Sequence, residues 1–222
     1  MIDEPTTKQL LQDLSAGDEA TRRYAAEDLG DAGEASAVPA LVAALRDPAV
    51  AVREAAADAL LSIGGESVCR EIVALLDDDD SAVRNLALEI FEQLDELAVA
   101  ACIRLYQSPS HDLRKISVDT LGKILTSPEG EGFDILVRAL EDPHINVASA
   151  ACEALGQVGG EKAAAALQES IGRHPWMDAT IFVSIVKTAA PSARDVLDSV
   201  QEQGLQPEAV YALRAAKGML EK

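Results

Sequence analysis

Aromatic side chains are scarce in this sequence, which has one Trp, three Tyr and three Phe among 222 residues. Apolar residues nevertheless make up 48% of the chain, so a folded core must be built mainly from alanine and the aliphatic side chains. The distance between packed helices depends on the side chains at their contact, and small side chains allow a close approach. This composition therefore favours closely packed elements.

Cysteines and long apolar runs are also few. Only three cysteines occur, and none forms the close Cys-x-x-Cys pair of a zinc site. Since they fall at core positions of predicted helices and are odd in number, we expect a cytoplasmic protein without disulfides. No apolar run approaches the ~18 residues that span a bilayer. Residues 1–5 (MIDEP) lack the basic start of a signal peptide.

Basic residues are few, with 19 Lys+Arg against 38 Asp+Glu and a net charge of −19. The negative charge is unevenly distributed along the chain. Residues 1–100 hold 7 basic and 22 acidic residues, and residues 101–222 hold 12 and 16, giving net charges of −15 and −4. A field of this sign repels nucleic acid and anionic membranes, so neither is an expected partner.

One pattern returns along most of the chain. An arginine, here called the marker, recurs at spacings of 31, 31 and 30 residues, and a fifth copy carries Ala148 instead. Apolar residues stand four and seven positions after each marker, which predicts one face of a helix, here called the A helix. Apolar residues eight and twelve positions before the marker predict a second helix, the B helix. The markers are Arg22, Arg53, Arg84 and Arg114.

The ends of the predicted helices are marked as well. Six residues before the marker stand Asp47, Asp78, Ser108 and Asp142, which we expect to be N-caps of the A helices. Proline follows three of them, as is common in a first helical turn. Glycines such as Gly30, Gly33 and the pair 159–160 suit the breaks between A and B helices.

These residues resemble HEAT repeats of the short bacterial type, which also occur in phycobilisome lyase subunits. The resemblance rests on Asp47 with Arg53 and Asp78 with Arg84, followed by alanine-rich helices that often end in Leu-Gly. It implies an all-α fold, an α-solenoid forming a right-handed superhelix of about five to six helix pairs. In that family the Asp and Arg form a hydrogen-bonded ladder between adjacent repeats. The ladder residues are then Asp47, Arg53, Asp78, Arg84, Arg114 and Asp142, although copy four has Ser108 for Asp and copy five lacks the Arg.

We expect a single domain over residues 1–222, because a stack of repeats shares one continuous core. Residues 1–16 are predicted to hold an N-terminal capping helix, and residues 17–173 the regular repeats. Residues 174–222 are predicted to hold a degenerate repeat and a C-terminal capping helix. Terminal repeats are atypical because one face meets water.

An acidic residue stands five positions past every marker and past Ala148, on the side of the A helix that points away from the core and onto the outer, convex side. This stripe either attracts a basic partner or is a solvated face that keeps the stack soluble, and the second interpretation is favoured. Its residues are Glu27, Asp58, Glu89, Asp119 and Glu153.

The B helices carry the main functional hypothesis. In HEAT-like solenoids they are expected to line the concave side, and several of the scarce arginines share their ridge, separated by alanines. We predict a groove for a helix or extended segment of another protein, whose carboxylates bind Arg70, Arg104 and Arg138. Pairing of these arginines within the chain is the alternative. The predicted partner-binding residues are Arg70, Glu71, Arg104, Gln107, Arg138 and Glu141.

Three further features have competing interpretations. The run Asp77 to Asp80 lacks the spacing of a calcium loop, and a charged turn is favoured. His111 and His144 could approach each other one repeat apart, but a metal normally needs a third close ligand. Trp176 is either a contact anchor or core filling, and core filling is favoured.

Motifs for catalysis are absent. The sequence has no glycine-rich phosphate loop, no Gly-x-Ser-x-Gly elbow and no His-Glu dipeptide of the kind that holds iron in HEAT-like hydroxylases. We therefore predict no catalytic residue, no cofactor and no metal. The predicted function is a non-enzymatic adaptor or scaffold that binds another protein. A subunit of a bilin lyase-like or other cofactor-attachment complex is the alternative, and the oligomeric state is not predicted.

Overall fold

The computed structural model describes residues 6–221, so the first five residues of the predicted N-terminal segment lie outside the described part. Within it the chain forms fourteen α-helices, a short 3-10 turn at Ala35–Ala37 and no strand. The all-α prediction is confirmed. The helices are α1 (Thr7–Ala16), α2 (Glu19–Ala32), α3 (Val38–Ala44), α4 (Val50–Ile63), α5 (Gly65–Leu75), α6 (Ser81–Glu92), α7 (Asp95–Leu105), α8 (His111–Ile124), α9 (Gly130–Ala139), α10 (Ile145–Val158), α11 (Gly160–Glu169), α12 (Asp178–Lys187), α13 (Ala193–Ser199) and α14 (Pro207–Met219).

The predicted alternation of A and B helices is confirmed. The even-numbered helices from α2 to α10 carry the marker register, and the odd-numbered ones precede them. Every apolar residue seven positions past a marker, or past Ala148, is fully buried, because this position faces the neighbouring helices. These residues are Leu29, Leu60, Phe91, Leu121 and Leu155.

The described chain forms two compact units, called unit 1 (residues up to Ala101) and unit 2 (from Cys102 onward). Each has its own aliphatic core. Unit 1 buries side chains such as Leu41 and Ile72, and unit 2 buries Ile135 and Leu136. The single continuous domain remains a prediction.

Successive A helices approach one another closely at small residues. A methyl group on Gly30 would lie 2.7 Å from Ala59 Cα, and one on Gly122 would lie 2.8 Å from Ala154 Cα. Gly30 therefore lies inside α2 as a packing position, and its expected role as a break is wrong. Gly33 (φ +64°) ends that helix instead, in the left-handed conformation that glycine tolerates.

The A helices pack against each other to different degrees. The pairs α2/α4, α8/α10 and α10/α12 contact each other more extensively than any two successive B helices do, whereas α4 and α6 make less contact. The placement of the B helices on the concave side remains a prediction.

The A helices begin later than predicted. The observed N-caps of α4, α6, α8 and α10 are Ala49, Asp80, Ser110 and His144, each two residues past the expected cap. The expected caps instead accept a hydrogen bond from the backbone N–H two residues on, which closes a turn of the Asx or Ser type before the helix. The distances are 2.8 Å for Asp47, 2.9 Å for Asp78, 3.1 Å for Ser108 and 2.9 Å for Asp142.

Candidate functional site

Two of the four marker arginines, Arg22 and Arg114, join the turn of one repeat to the turn of the next. The Arg22 guanidinium donates to both Asp47 oxygens of the next repeat, with Nε–Oδ2 2.7 Å and Nη2–Oδ1 2.8 Å. Its third nitrogen donates to the Gly17 carbonyl of its own repeat at 2.9 Å. The hydrogen bonds from Arg22 lower the pKa of Asp47. A two-point ion pair of this kind fixes both distance and orientation between repeats.

Arg114 makes the same arrangement in unit 2. Its Nε and Nη2 lie 2.8 Å and 2.9 Å from the two Asp142 oxygens, and Nη1 donates to the Ser108 carbonyl at 3.0 Å. The Asp142 side chain is only 2% exposed. Burial alone would raise the pKa of Asp142, but the hydrogen bonds from Arg114 and the His144 N–H outweigh it and hold that pKa below its usual value.

The two middle markers bind backbone only. Arg53 donates to the Asp47 carbonyl at 2.7 Å, and Arg84 donates to the Asp78 carbonyl. The Asp78 carboxylate instead accepts from Arg46, with Nη1–Oδ1 3.0 Å and a second, shorter bond. Each of these two markers thus binds the backbone carbonyl of the aspartate six positions earlier. The side-chain carboxylate of the same aspartate binds an arginine of the preceding repeat.

The predicted ladder omits two arginines that the structure uses. Arg22 stands in the marker register, so the signal for it is present in the sequence. Arg46 stands seven positions before Arg53, a position where other repeats carry Asp77, Gln107 and Glu141. The sequence therefore has no repeated signal for Arg46.

The Arg46–Asp78 pair makes a testable prediction for unit 1. Hydrogen bonds from Arg46 lower the pKa of Asp78 to about 2. Because the folded pKa lies below the unfolded value near 3.8, the pair stabilises the fold above about pH 4, and this contribution is lost as pH falls towards 2. A carbon-13 carboxyl titration by NMR should place the midpoint of Asp78 near 2, and the Arg46→Ala variant should move it up towards 3.8. The Arg70→Ala variant is the control, and an equal shift there would contradict the assignment.

The B-helix surface of unit 1 contains a groove of about 510 Å³ between α1 and α3. Leu11 and Leu14 line one side, and the alanines at 40, 43 and 44 line the other. Of the predicted contact residues in this unit, Arg70 has a 73% exposed side chain that lies 3.9 Å from the Glu71 carboxylate. Such an exposed and distant pair contributes little to stability, so Arg70 is accessible to another carboxylate.

The remaining predicted contact residues lie in unit 2. Arg104 and Gln107 are exposed, and the described residues provide no ion pair for Arg104. The Arg138 guanidinium lies 5.9 Å from the centre of the Tyr106 ring, within the range of a cation–π contact. Glu141 is paired with Arg173 of the following repeat, so it is already occupied within the chain.

The acidic stripe on the A helices is mostly exposed. Glu27, Asp58, Glu89 and Glu153 are exposed, whereas Asp119 is half-buried. In unit 2 the Lys115 ammonium lies 2.5 Å from the Asp119 carboxylate, and in unit 1 the Arg23 guanidinium lies 3.3 Å from the Glu27 carboxylate. The stripe is therefore partly neutralised by bases on its own helices in both units.

The His111 and His144 rings are stacked, with centroids 3.7 Å apart and planes inclined by 8°. The lone pairs of two parallel rings point in parallel planes and do not converge on one ion. Within residues 6–221, no group of three or more His, Cys, Asp or Glu side chains could hold a metal. The acidic run serves the turn before α6, because Asp78 and Asp80 accept backbone N–H bonds there.

Trp176 is 45% exposed and stacks on His174 at 5.6 Å, while Met177 is 1% exposed. The core-filling interpretation is therefore wrong for the tryptophan, because the next residue takes the core position. All three cysteines are buried, as expected for their helix positions. Burial raises the pKa of the Cys152 thiol to about 12, so it is protonated and a poor nucleophile at neutral pH.

Stacked pairs of antiparallel helices, joined by Asp and Arg across the turns, define an α-helical repeat protein. The family described as HEAT repeats matches residues 7–92 and 99–180, and the chain belongs to this family. Among curated proteins, none matches the sequence. No helix of residues 6–221 combines the length and the apolar character needed to cross a membrane.

Several solved structures are similar along most of the chain. The CpcE and CpcF complex of phycocyanin lyase from Nostoc sp. PCC7120 is 22% identical, with 98% of this chain and 95% of that chain covered and a TM-score of 0.40. Human deoxyhypusine hydroxylase in complex with glycerol is 17% identical, with 97% and 84% covered and a TM-score of 0.47. A designed armadillo repeat protein in complex with the peptide (KR)4 is 19% identical, with 96% and 98% covered and a TM-score of 0.36. At these TM-scores the similarity carries no argument about function.

Proposed function

We propose that this HEAT-repeat chain is a non-enzymatic adaptor or scaffold that holds a segment of another protein on its B-helix surface. The observation that carries the proposal is the groove between α1 and α3, about 510 Å³ in volume, whose lining combines leucine and alanine side chains with the charged residues Arg22, Arg46 and Asp47. Small side chains leave room for the backbone of a bound helix, and the leucines and alanines suit its apolar face.

The charge of the bound segment follows from the exposed arginines. Arg70 in unit 1 and Arg104 in unit 2 project into solvent, and Arg138 lies against Tyr106. A chain with a net charge of −19 repels acidic proteins in general. The exposed arginines on the B helices allow acidic side chains to bind at this surface with charge-assisted hydrogen bonds. The expected partner segment is therefore amphipathic, with one apolar face and an acidic edge.

The test reverses charge on the B helices of unit 2. Arg104→Glu with Arg138→Glu should weaken binding of a partner recovered from the native host at least about thirtyfold, because leaving an interface charge unpaired costs roughly 2–5 kcal/mol. Calorimetry with the purified partner gives the affinity. Ala43→Trp, which fills the groove of unit 1, should weaken it as well.

The matched control is Arg23→Glu with Lys115→Glu, which changes the net charge equally but lies on A helices α2 and α8. It should leave the affinity within about twofold, because rim and distant charges act mainly on the association rate. Unchanged binding in both the arginine variant and Ala43→Trp would eliminate the B-helix surface as the binding site.

A further inference from the structure

A second groove in unit 1 lies between two A helices, α2 and α4. It measures about 550 Å³, and its floor consists of Gly30 and the alanines at 51, 55 and 59. Because Gly30 allows the two backbones to approach at Ala59, no long side chain covers this floor. The Ser62 hydroxyl donates to the Gly30 carbonyl at 3.3 Å, which holds the two helices together at the bottom of the groove.

The walls of this groove are acidic. Glu27 and Asp31 line the α2 side, and Glu54 and Asp58 line the α4 side. Arg23 is the one basic residue in the lining, and its guanidinium lies 3.3 Å from the Glu27 carboxylate. The described residues provide no ion pair for the other three acids.

These acids also stand at unfavourable spacings. Glu27 and Asp31, and likewise Glu54 and Asp58, are four residues apart on one helix, where like charges destabilise. Unit 2 has no such pair at the matching place, because Lys115 stands four residues before Asp119 and binds it. The uncompensated charge is therefore a local property of the groove and is not required by the repeat.

A neighbouring groove continues the same surface. Glu54 and Asp58 also line a space of about 330 Å³ between α4 and α6, together with Leu86 and Glu89. The α4 acids thus form a ridge between two grooves, each with apolar side chains at its base. A ligand that follows the acids from α2 to α6 would meet carboxylates on both sides.

We propose that this A-helix surface of unit 1 docks a basic protein segment. Lysine or arginine side chains would lay their alkyl stems on the alanine floor and bind the wall carboxylates with their cationic ends. This proposal goes beyond the B-helix surface, which takes acidic segments, and it does not rest on that surface. A chain with two docking surfaces of opposite charge preference can bridge two different partners.

The test uses a deca-lysine peptide as the probe, with fluorescence anisotropy at low and moderate salt. Glu54→Gln with Asp58→Asn should weaken its binding at least tenfold. The matched control is Glu66→Gln with Glu96→Gln, which removes the same charge from exposed positions on the B helices α5 and α7 and should weaken binding no more than twofold. Ala51→Met, which raises the groove floor without changing charge, should weaken binding at least threefold.

Folding is checked by thermal denaturation, where removal of the like-charge pair should leave Tm unchanged or raise it. Equal weakening by both charge variants would mean diffuse attraction to an acidic protein and would overturn the proposal, as would a failure of deca-lysine to bind at low salt. No effect of Ala51→Met would overturn it too. Arg104→Glu with Arg138→Glu should leave deca-lysine binding unchanged, because neither arginine lies on the A-helix surface. The deca-lysine assay therefore tests the A-helix surface independently of the B-helix proposal.

Discussion

Replacing Asp142 by alanine is expected to destabilise the protein by about 2–4 kcal/mol. The substitution leaves the Arg114 guanidinium, whose side chain is 14% exposed, without its two carboxylate hydrogen bonds. Removal of one partner of a buried pair costs about 3–5 kcal/mol, and the partial exposure of Arg114 reduces this figure. The N–H of His144 also loses its acceptor, so the turn before α10 loosens as well. Urea denaturation followed by circular dichroism measures the loss.

Two comparisons separate this ion pair from a general effect of charge. Asp134→Ala removes an exposed acid on α9 and should change stability by less than about 0.5 kcal/mol. The folded pKa of Asp142 is lowered, so the stability that the pair contributes is present above about pH 4 and is lost as pH falls through the folded pKa. The difference between wild type and Asp142→Ala should therefore be full at pH 7 and narrow below pH 4. A constant difference would contradict the ion-pair account.

The second large effect is expected at Gly122, where α8 meets α10. A methyl group there would lie 2.6 Å from Ala154 Cβ and 2.8 Å from Ala154 Cα, so the two helices must move apart. Overpacking of this kind costs about 1–3 kcal/mol, and Gly122→Ala should lower the stability by this amount. Separation of the helices would also strain the Arg114–Asp142 bonds between the same repeats.

Gly218 provides the matched control. It lies in α14, and apart from the backbone of its own helix nothing lies within 4 Å of an added methyl group, so Gly218→Ala should stabilise by about 0.5–1 kcal/mol through helix propensity alone. The same chemical change should thus shift Tm in opposite directions at the two positions. Thermal melts of the two variants provide the measurement, and a rise in Tm for Gly122→Ala would show that α8 and α10 are not in close contact.

Two other glycines, Gly30 and Gly33, show what cannot be predicted from the sequence alone. Gly33 and Gly30 look alike in the chain, yet one ends α2 and the other lies inside it against Ala59. Glycine suits a break because it tolerates positive φ, and it suits a close helix contact because it lacks Cβ. Local sequence does not distinguish these uses, since the second depends on a residue about 30 positions away.

The arginine ladder illustrates the same limit. The repeated Asp and Arg are visible in the sequence, and the resemblance pairs residues six apart. In the structure the carboxylate of Asp47 binds Arg22, that of Asp142 binds Arg114, and that of Asp78 binds Arg46, which no repeat pattern marks. Partner choice depends on how far one repeat is offset from the next, and that offset is a property of the packed helices.

The sequence by itself determined the helical class, the alternation of A and B helices and the buried positions seven residues past each marker. These follow from side-chain periodicity, which acts within a few turns of one helix. The tertiary structure alone decided which arginine meets which aspartate, which helices approach most closely and where the grooves open. The reason is physical: a groove exists only where side chains from two helices are short at the same place, and this requires the two helices to be brought together.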